Sequence, residues 1–233
     1  MKPTIVLIAC FDSYINILKK NISRLPKNYT YSILTTDVEC INNLFKDHTE
    51  KIYVEKYNEN RFNYFQKIYF THKSTNIFKN GCLLVDMKHL HLISQYLSVI
   101  SGKCSDFLII NEWDGYQHLK YLYNYNGKLA EKYWFNHILD YFEKLGVNLN
   151  NARTILEWVM YFPFIKNNDY IKTIKIIENI YPNNKIKNKS YEIKGYNEGE
   201  GLALSAALFL HGLPTKDIRT YNYNKTNSPI NLI

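Results

Sequence analysis

Nine glycines and six prolines in 233 residues are too few for a collagen-like or linker-dominated chain. Long apolar runs are missing as well. The longest, residues 5–11 and 202–210, fall well short of the roughly 20 residues a membrane-crossing helix needs. The opening run follows Lys2 and Pro3, but Asp12 and Tyr14 interrupt it and no small-residue cleavage site comes after. It reads as a buried first strand and not as a secretion signal. Cysteine is scarce. Cys10, Cys40, Cys82 and Cys104 stand singly at wide, uneven spacing, with no C-x-x-C or Cys/His pattern that would hold zinc. Reduced thiols in a cytoplasmic protein are the expectation. Also absent are G-x-x-x-x-G-K, G-x-G-x-x-G, H-E-x-x-H and G-x-S-x-G, the signatures of phosphate loops, dinucleotide folds, zinc peptidases and serine hydrolases.

What is present is a core. Hydrophobic residues make up 46% of the chain and aromatics 15%, which excludes intrinsic disorder and is enough to bury one substantial interior. Lys and Arg number 29 against 21 Asp and Glu, a net charge of +8 compatible with phosphate-bearing partners. Solvated lysines on helix faces explain much of that surplus equally well. Lys, Asn, Ile and Tyr are spread evenly, with no repeat or compositional break. A single domain over residues 1–221 and a polar tail over 222–233 are therefore expected.

The first ninety residues alternate between two periodicities. Residues 4–10 form a continuous apolar, β-branched run, 29–35 alternate and are β-branched, and these with 51–55 and the apolar 81–86 predict strands. Residues 14–25, 38–45 and 62–71 repeat apolar positions at helical spacing. Such alternation predicts an α/β layered sandwich, a mostly parallel central sheet flanked by helices. Further on, residues 107–110 predict a short strand that leads into a polar loop over 111–116. Helices are predicted over 129–145 with Gly146 as C-cap, over 154–161, over 171–180 and over 199–210.

In parallel sheets ligands sit beyond the carboxyl ends of the strands. Asp12, Asp37 and Asp86 fall at or just after three such ends. A carboxylate there can ligate a divalent cation, bind a ribose, or simply start the next helix as a cap or turn residue. His89 and His91 are two apart and would share a face if they lay on a strand.

The order of these elements resembles the GT-A class of nucleotide-sugar glycosyltransferases, whose fold is Rossmann-related. The resemblance rests on the opening strand, Thr35-Thr36-Asp37, the aromatic 62–71 segment with Lys67, and the strand running into Asp86. It continues with Glu157-Trp158 and with Glu198-Gly199-Glu200-Gly201 ahead of a small-residue helix. The family's Asp-X-Asp motif stands here as Asp86-Met87-Lys88. The resemblance implies a transferase that moves a sugar from a nucleotide-sugar donor to a hydroxyl acceptor. By that resemblance Ala9 to Asp12 lie near the base, Asp37 meets the nucleoside, Lys67 belongs to the donor site, and Asp86 faces the ribose or a metal. Mn²⁺ or Mg²⁺ would be held by Asp86 with His89 and His211, or Lys88 would replace the ion with a fixed charge. Asp114, Glu112 and Glu157 are the candidate general bases, with Trp113 suited to stack on a sugar. His211-Gly212 also reads simply as the capped end of a helix.

The acceptor is a saccharide or a nucleic acid, as with enzymes that glycosylate modified bases in viral DNA. The second would need aromatics in a basic groove. Tyr57, Tyr64, Tyr69, Lys67 and Lys73, or the 185–189 lysine tract, would supply it. A non-catalytic binding module for nucleic acid or a protein partner, built on the same fold with its metal motif lost, is the alternative.

Overall fold

The structure is a computed structural model and describes residues 1–48, 51–59, 62–100, 104–114, 117, 140–180, 200–219 and 221. The chain divides into two compact units, one of Met1–Ile110, Glu157–Lys166 and Thr215–Ile233, the other of Asn111–Leu156 and Asn167–Pro214.

The first unit is organised by strand β1 (Thr4–Ala9), every residue of which is buried. Its continuous apolar run has no period of two because both faces are covered. Helix α1 (Asp12–Asn21) follows and turns Ile15 and Leu18 inward, before a 3-10 turn at Ile22–Arg24. Strand β2 (Tyr31–Thr35), helix α2 (Val38–Leu44) and strand β3 (Ile52–Lys56) continue the alternation. β1 pairs with β2, and β2 with β3, in parallel. Helix α3 (Gln66–Phe78) then carries the chain back to strand β4 (Cys82–Val85), which pairs in parallel with the other edge of β1.

α3 runs seven residues beyond its predicted end at Thr71. Apolar periodicity fades there because the inward face changes to small hydroxyl residues, Thr71, Ser74 and Thr75, all buried. Each hydroxyl is satisfied. Thr71 Oγ1 donates to the Lys67 carbonyl (2.6 Å), Thr75 Oγ1 to the His72 carbonyl (2.7 Å), and Ser74 Oγ shares a 2.7 Å bond with Ser32 Oγ on β2. Back-bonding to the helix's own carbonyls lets hydroxyls stand in for apolar contacts without orphaned polar groups.

After β4 come a 3-10 turn (Met87–Leu92) and helix α4 (Ile93–Val99). Strand β5 (Phe107–Asp114), strand β6 (Arg153–Phe162) and strand β7 (Thr215–Asp217) complete a seven-stranded sheet of order β3-β2-β1-β4-β6-β5-β7. Three expectations are corrected here. β6 runs antiparallel to β4, so the sheet is mixed rather than mostly parallel. Residues 154–161 form this strand and not a helix. Ile155 and Val159 through Phe162 are all fully buried, and a run covered on both faces shows neither helical nor alternating periodicity. The polar stretch beginning at Asn111 extends β5 to Asp114 and does not leave the strand as a loop.

Cys10, Cys40, Cys82 and Cys104 are all free thiols. Burial pushes the Cys10 thiol up to about 12, so it packs as a small hydrophobe and is no nucleophile at neutral pH. Among the described residues no helix is long and apolar enough to cross a membrane.

His48, packed beside the rings of Tyr31 and Phe45, supplies a pH dependence. Burial first, then the Lys27 ammonium, hold its imidazole below the ordinary 6.5, with Asp47 opposing. The unfolded chain therefore binds a proton more readily than the fold does, and stability is lost as pH falls from 6.5 through the lowered value. The melting temperature is expected to drop between pH 7 and pH 5, and His48→Phe to flatten part of that slope. An unchanged slope in the variant would assign the effect elsewhere, His89 being lowered in the same sense.

In the second unit, residues 140–144 are helical and end at Gly146, whose φ of +73° is the expected left-handed C-cap. Helices α5 (Asp169–Ile180) and α6 (Glu200–Leu210) pack on one another. From Gly201 to Leu208 every residue of α6 is buried. Its small side chains permit that close approach.

Candidate functional site

The strand order places a switch point in the first unit. From β1 the chain builds outward through β2 to β3, then returns to add β4 on the opposite side of β1. The carboxyl ends of β1 and β4 meet at this switch point, the usual ligand position of open α/β sheets, and the 3-10 turn after β4 packs against α1.

Aromatic rings line the β1 side. Phe11, directly after the strand, meets Tyr14 (5.2 Å between centroids) and Phe62 (5.5 Å) edge to face. Phe62 in turn meets Tyr57 (5.3 Å) and Tyr64 (5.5 Å). Tyr57 is locked: it donates to Glu59 Oε2 at 2.9 Å and accepts the Asn63 N–H at 3.0 Å.

The β4 side carries charge. Asp86 caps the 3-10 turn after β4, its Oδ1 accepting the Lys88 N–H at 2.9 Å. Its Oδ2 lies 3.6 Å from Nζ of Lys67, in the first turn of α3, and both side chains are about nine-tenths buried at 9% and 11% exposure. Lys67 Nζ also sits over the Tyr64 ring, 5.2 Å from its centroid. Tyr14 shares this neighbourhood. Burial raises its phenol above the ordinary value, Asp86 and Tyr64 raise it further, and Lys67 pulls the other way. Its hydroxyl stays protonated at neutral pH and keeps a proton to donate.

A buried hydroxyl stitches the ends of β1 and β2. Thr35 Oγ1 donates to the carbonyl of Ala9 (2.9 Å) and accepts the N–H of Asp37 (3.1 Å). Asp37 caps α2 through the Cys40 N–H (2.9 Å), and Asp12 begins α1; both are exposed. Each carboxylate complements a helix N-terminus.

Of the predicted site residues, Lys67 and Asp86 are joined directly, and Ala9 and Asp37 through Thr35. Lys88 meets Asp86 through its backbone while its side chain is exposed, so the ion pair on that carboxylate belongs to Lys67. His89 lies in the 3-10 turn, not on a strand, and its ring stacks on Trp158 at 4.8 Å and 17°. Burial lowers its imidazole from the usual range, against Asp86, which raises it. His211 belongs to the second unit, where its Nε2 shares a 2.9 Å hydrogen bond with Thr173 Oγ1 and Gly212 closes the helix at a φ of +59°. Glu112, Trp113 and Asp114 sit on β5 and Glu157 on β6, but their side chains lie outside the described residues. So does the 185–189 tract.

The described donors do not fit a resident divalent ion. Asp86 is engaged by a lysine and an amide, and His89 by an indole. Among the described residues no three His, Cys, Asp or Glu side chains gather as a metal set. Of the basic aromatic set, Tyr57 is buried, Tyr64 and Tyr69 are half-buried, and Lys73 is exposed and pairs with Glu55 at 2.6 Å.

Tyr14, Phe62 and Trp158 stand at this switch point without having been read as ligand contacts, whereas Phe11 falls within the Ala9–Asp12 stretch expected near the base. For Tyr14 and Phe62 a signal existed: aromatics shortly after β1 and shortly before α3. No known protein-family model matches the chain, and no curated protein matches it.

Proposed function

We propose that the switch point at the ends of β1 and β4 binds a nucleoside-diphosphate sugar and that the protein transfers the sugar to a hydroxyl acceptor on a GT-A-like scaffold. The observation that supports this most is the Lys67–Asp86 pair at the switch point, faced by a wall of aromatic rings. Rings at Phe11, Tyr14 and Tyr64 suit a planar base. A largely buried lysine suits a diphosphate, because its charge gains strength where water is excluded. In this reading Lys67 neutralises the leaving diphosphate as the glycosidic bond breaks, and Asp86 holds the ammonium in position. The proton of the acceptor hydroxyl goes to a carboxylate, with Glu157 on β6, in the same unit as Lys67 and Asp86, the candidate. Binding without transfer remains the second reading, favoured by an Asp86 that is already neutralised.

The test is thermal stability against a panel of nucleotide sugars, with Mn²⁺ and with EDTA, followed by assay for released nucleotide. Binding to the folded state raises the midpoint by mass action. A rise that persists in EDTA with nucleotide release supports metal-independent transfer. A rise without release supports the binding module. No rise with any nucleotide sugar overturns the donor site.

A further inference from the structure

β6 is a central strand, and Val159, Met160, Tyr161 and Phe162 on it are completely buried. One residue earlier, Trp158 is 45% exposed. A large indole left in water beside a sealed core is the informative exception, since apolar area of that size gains from burial. It is also held. Its ring lies against His89 at 4.8 Å and 17°, while the His89 N–H is tied to the Asp86 carbonyl (2.8 Å). The Trp158 carbonyl accepts the Asp86 N–H at 2.8 Å, which sets Trp158 opposite Asp86 across the β4–β6 pair.

Its place along the sheet edge decides what it can hold. From β1, with its aromatic wall, to β4, with Lys67–Asp86, to β6 there are two strand spacings, together about 10 Å. A ligand with its base at β1 and its diphosphate at β4 would bring its sugar toward β6, and an acceptor must meet that sugar there. We infer that Trp158, braced by His89, is a saccharide platform that seats the pyranose of the acceptor beside Asp86. This rests on the donor reading above and deepens it.

The chemistry favours a saccharide over a nucleic-acid acceptor. The axial C–H groups on one face of a pyranose carry partial positive charge and meet the negative face of an indole. One side of Trp158 is already taken by His89. An extruded base needs a closed pocket that grips it, and a single strand needs several stacking rings along a basic groove. Among the described residues Trp158 presents one ring face beside a carboxylate, which suits a sugar ring better than a base.

Saturation-transfer NMR of the full chain with a panel of methyl pyranosides and disaccharides tests this, with a short single-stranded oligodeoxynucleotide as the competing probe. Saturation of pyranose ring protons is expected in the wild type, at least about tenfold weaker binding in Trp158→Ala, as for loss of a central aromatic contact, and substantial retention in Trp158→Phe. Because Trp158 is exposed, Trp158→Ala should melt unliganded at the wild-type temperature. His89→Ala, which removes only the brace, should show an intermediate loss. Equal saccharide binding in Trp158→Ala, no saturation from any saccharide, or binding of the oligonucleotide alone would each overturn the platform. The wild-type melting shift with nucleotide sugars reports the donor site separately, so the two readings can fail independently.

Discussion

Lys67→Met is expected to lower nucleotide-sugar turnover by about 10²–10³-fold, the usual loss when one preorganised group facing developing charge is removed. Asp86→Asn should fall in the same direction, since the amide keeps the shape and the cap from Lys88 but releases the ammonium. Stability separates a structural pair from a functional one. Both side chains are about nine-tenths buried, so removing Lys67 alone strands a carboxylate and should cost up to ~3–5 kcal/mol. In the double variant neither charge remains, and most of that loss should return. Turnover should not return with it. Melting curves and nucleotide release on the four proteins check this. Wild-type activity in both single variants would remove the pair from the site.

Gly81→Ala is expected to be the most damaging small substitution in the first unit. A Cβ at Gly81, the residue just before β4, would overlap the Tyr161 phenol at Oη and Cζ. A flexible neighbour could give way, but Tyr161 is fully buried on β6, faces Leu83 across the strand pair, and donates to the Cys104 carbonyl at 3.2 Å. Overpacking of this kind costs ~1–3 kcal/mol or more, a fall of roughly 2–12 °C in a protein of this size. Adding Tyr161→Phe removes the oxygen and should recover part of it. A wild-type melting temperature for Gly81→Ala would show that the ring is free to move.

The left side of the sheet was legible because its physics is local. β1, β2 and β4 announce themselves as apolar or β-branched runs, and each is followed within a few residues by an aspartate. The role of those acids was not legible. Asp12 and Asp37 begin helices, a use that a strand-ending position predicts equally well, and only the return of α3 brings Lys67 against Asp86. The misreading of β6 has the same origin. A strand covered on both faces carries no periodicity, so Trp158 was assigned to a helix, and its pairing with His89 is a contact across 69 positions that no local pattern contains. α3 was cut short where hydroxyl groups replaced apolar ones on its inner face.

The antiparallel course of β6 also has a consequence in time. The first unit closes only when the chain, having left it at Ile110, comes back at Glu157 and again at Thr215. A nascent chain grows at about 5–20 residues per second. For several seconds during translation β1, β2 and β3 can pair while β4 still waits for its neighbour. The edge of β4 that will receive Trp158 to Phe162 is bare through that interval, and Cys82 to Val85 is as apolar an edge as the chain presents. Such an edge invites pairing with another copy. Slowed synthesis through residues 86–162 is then expected to lower the yield of folded protein, which expression at two translation rates would measure.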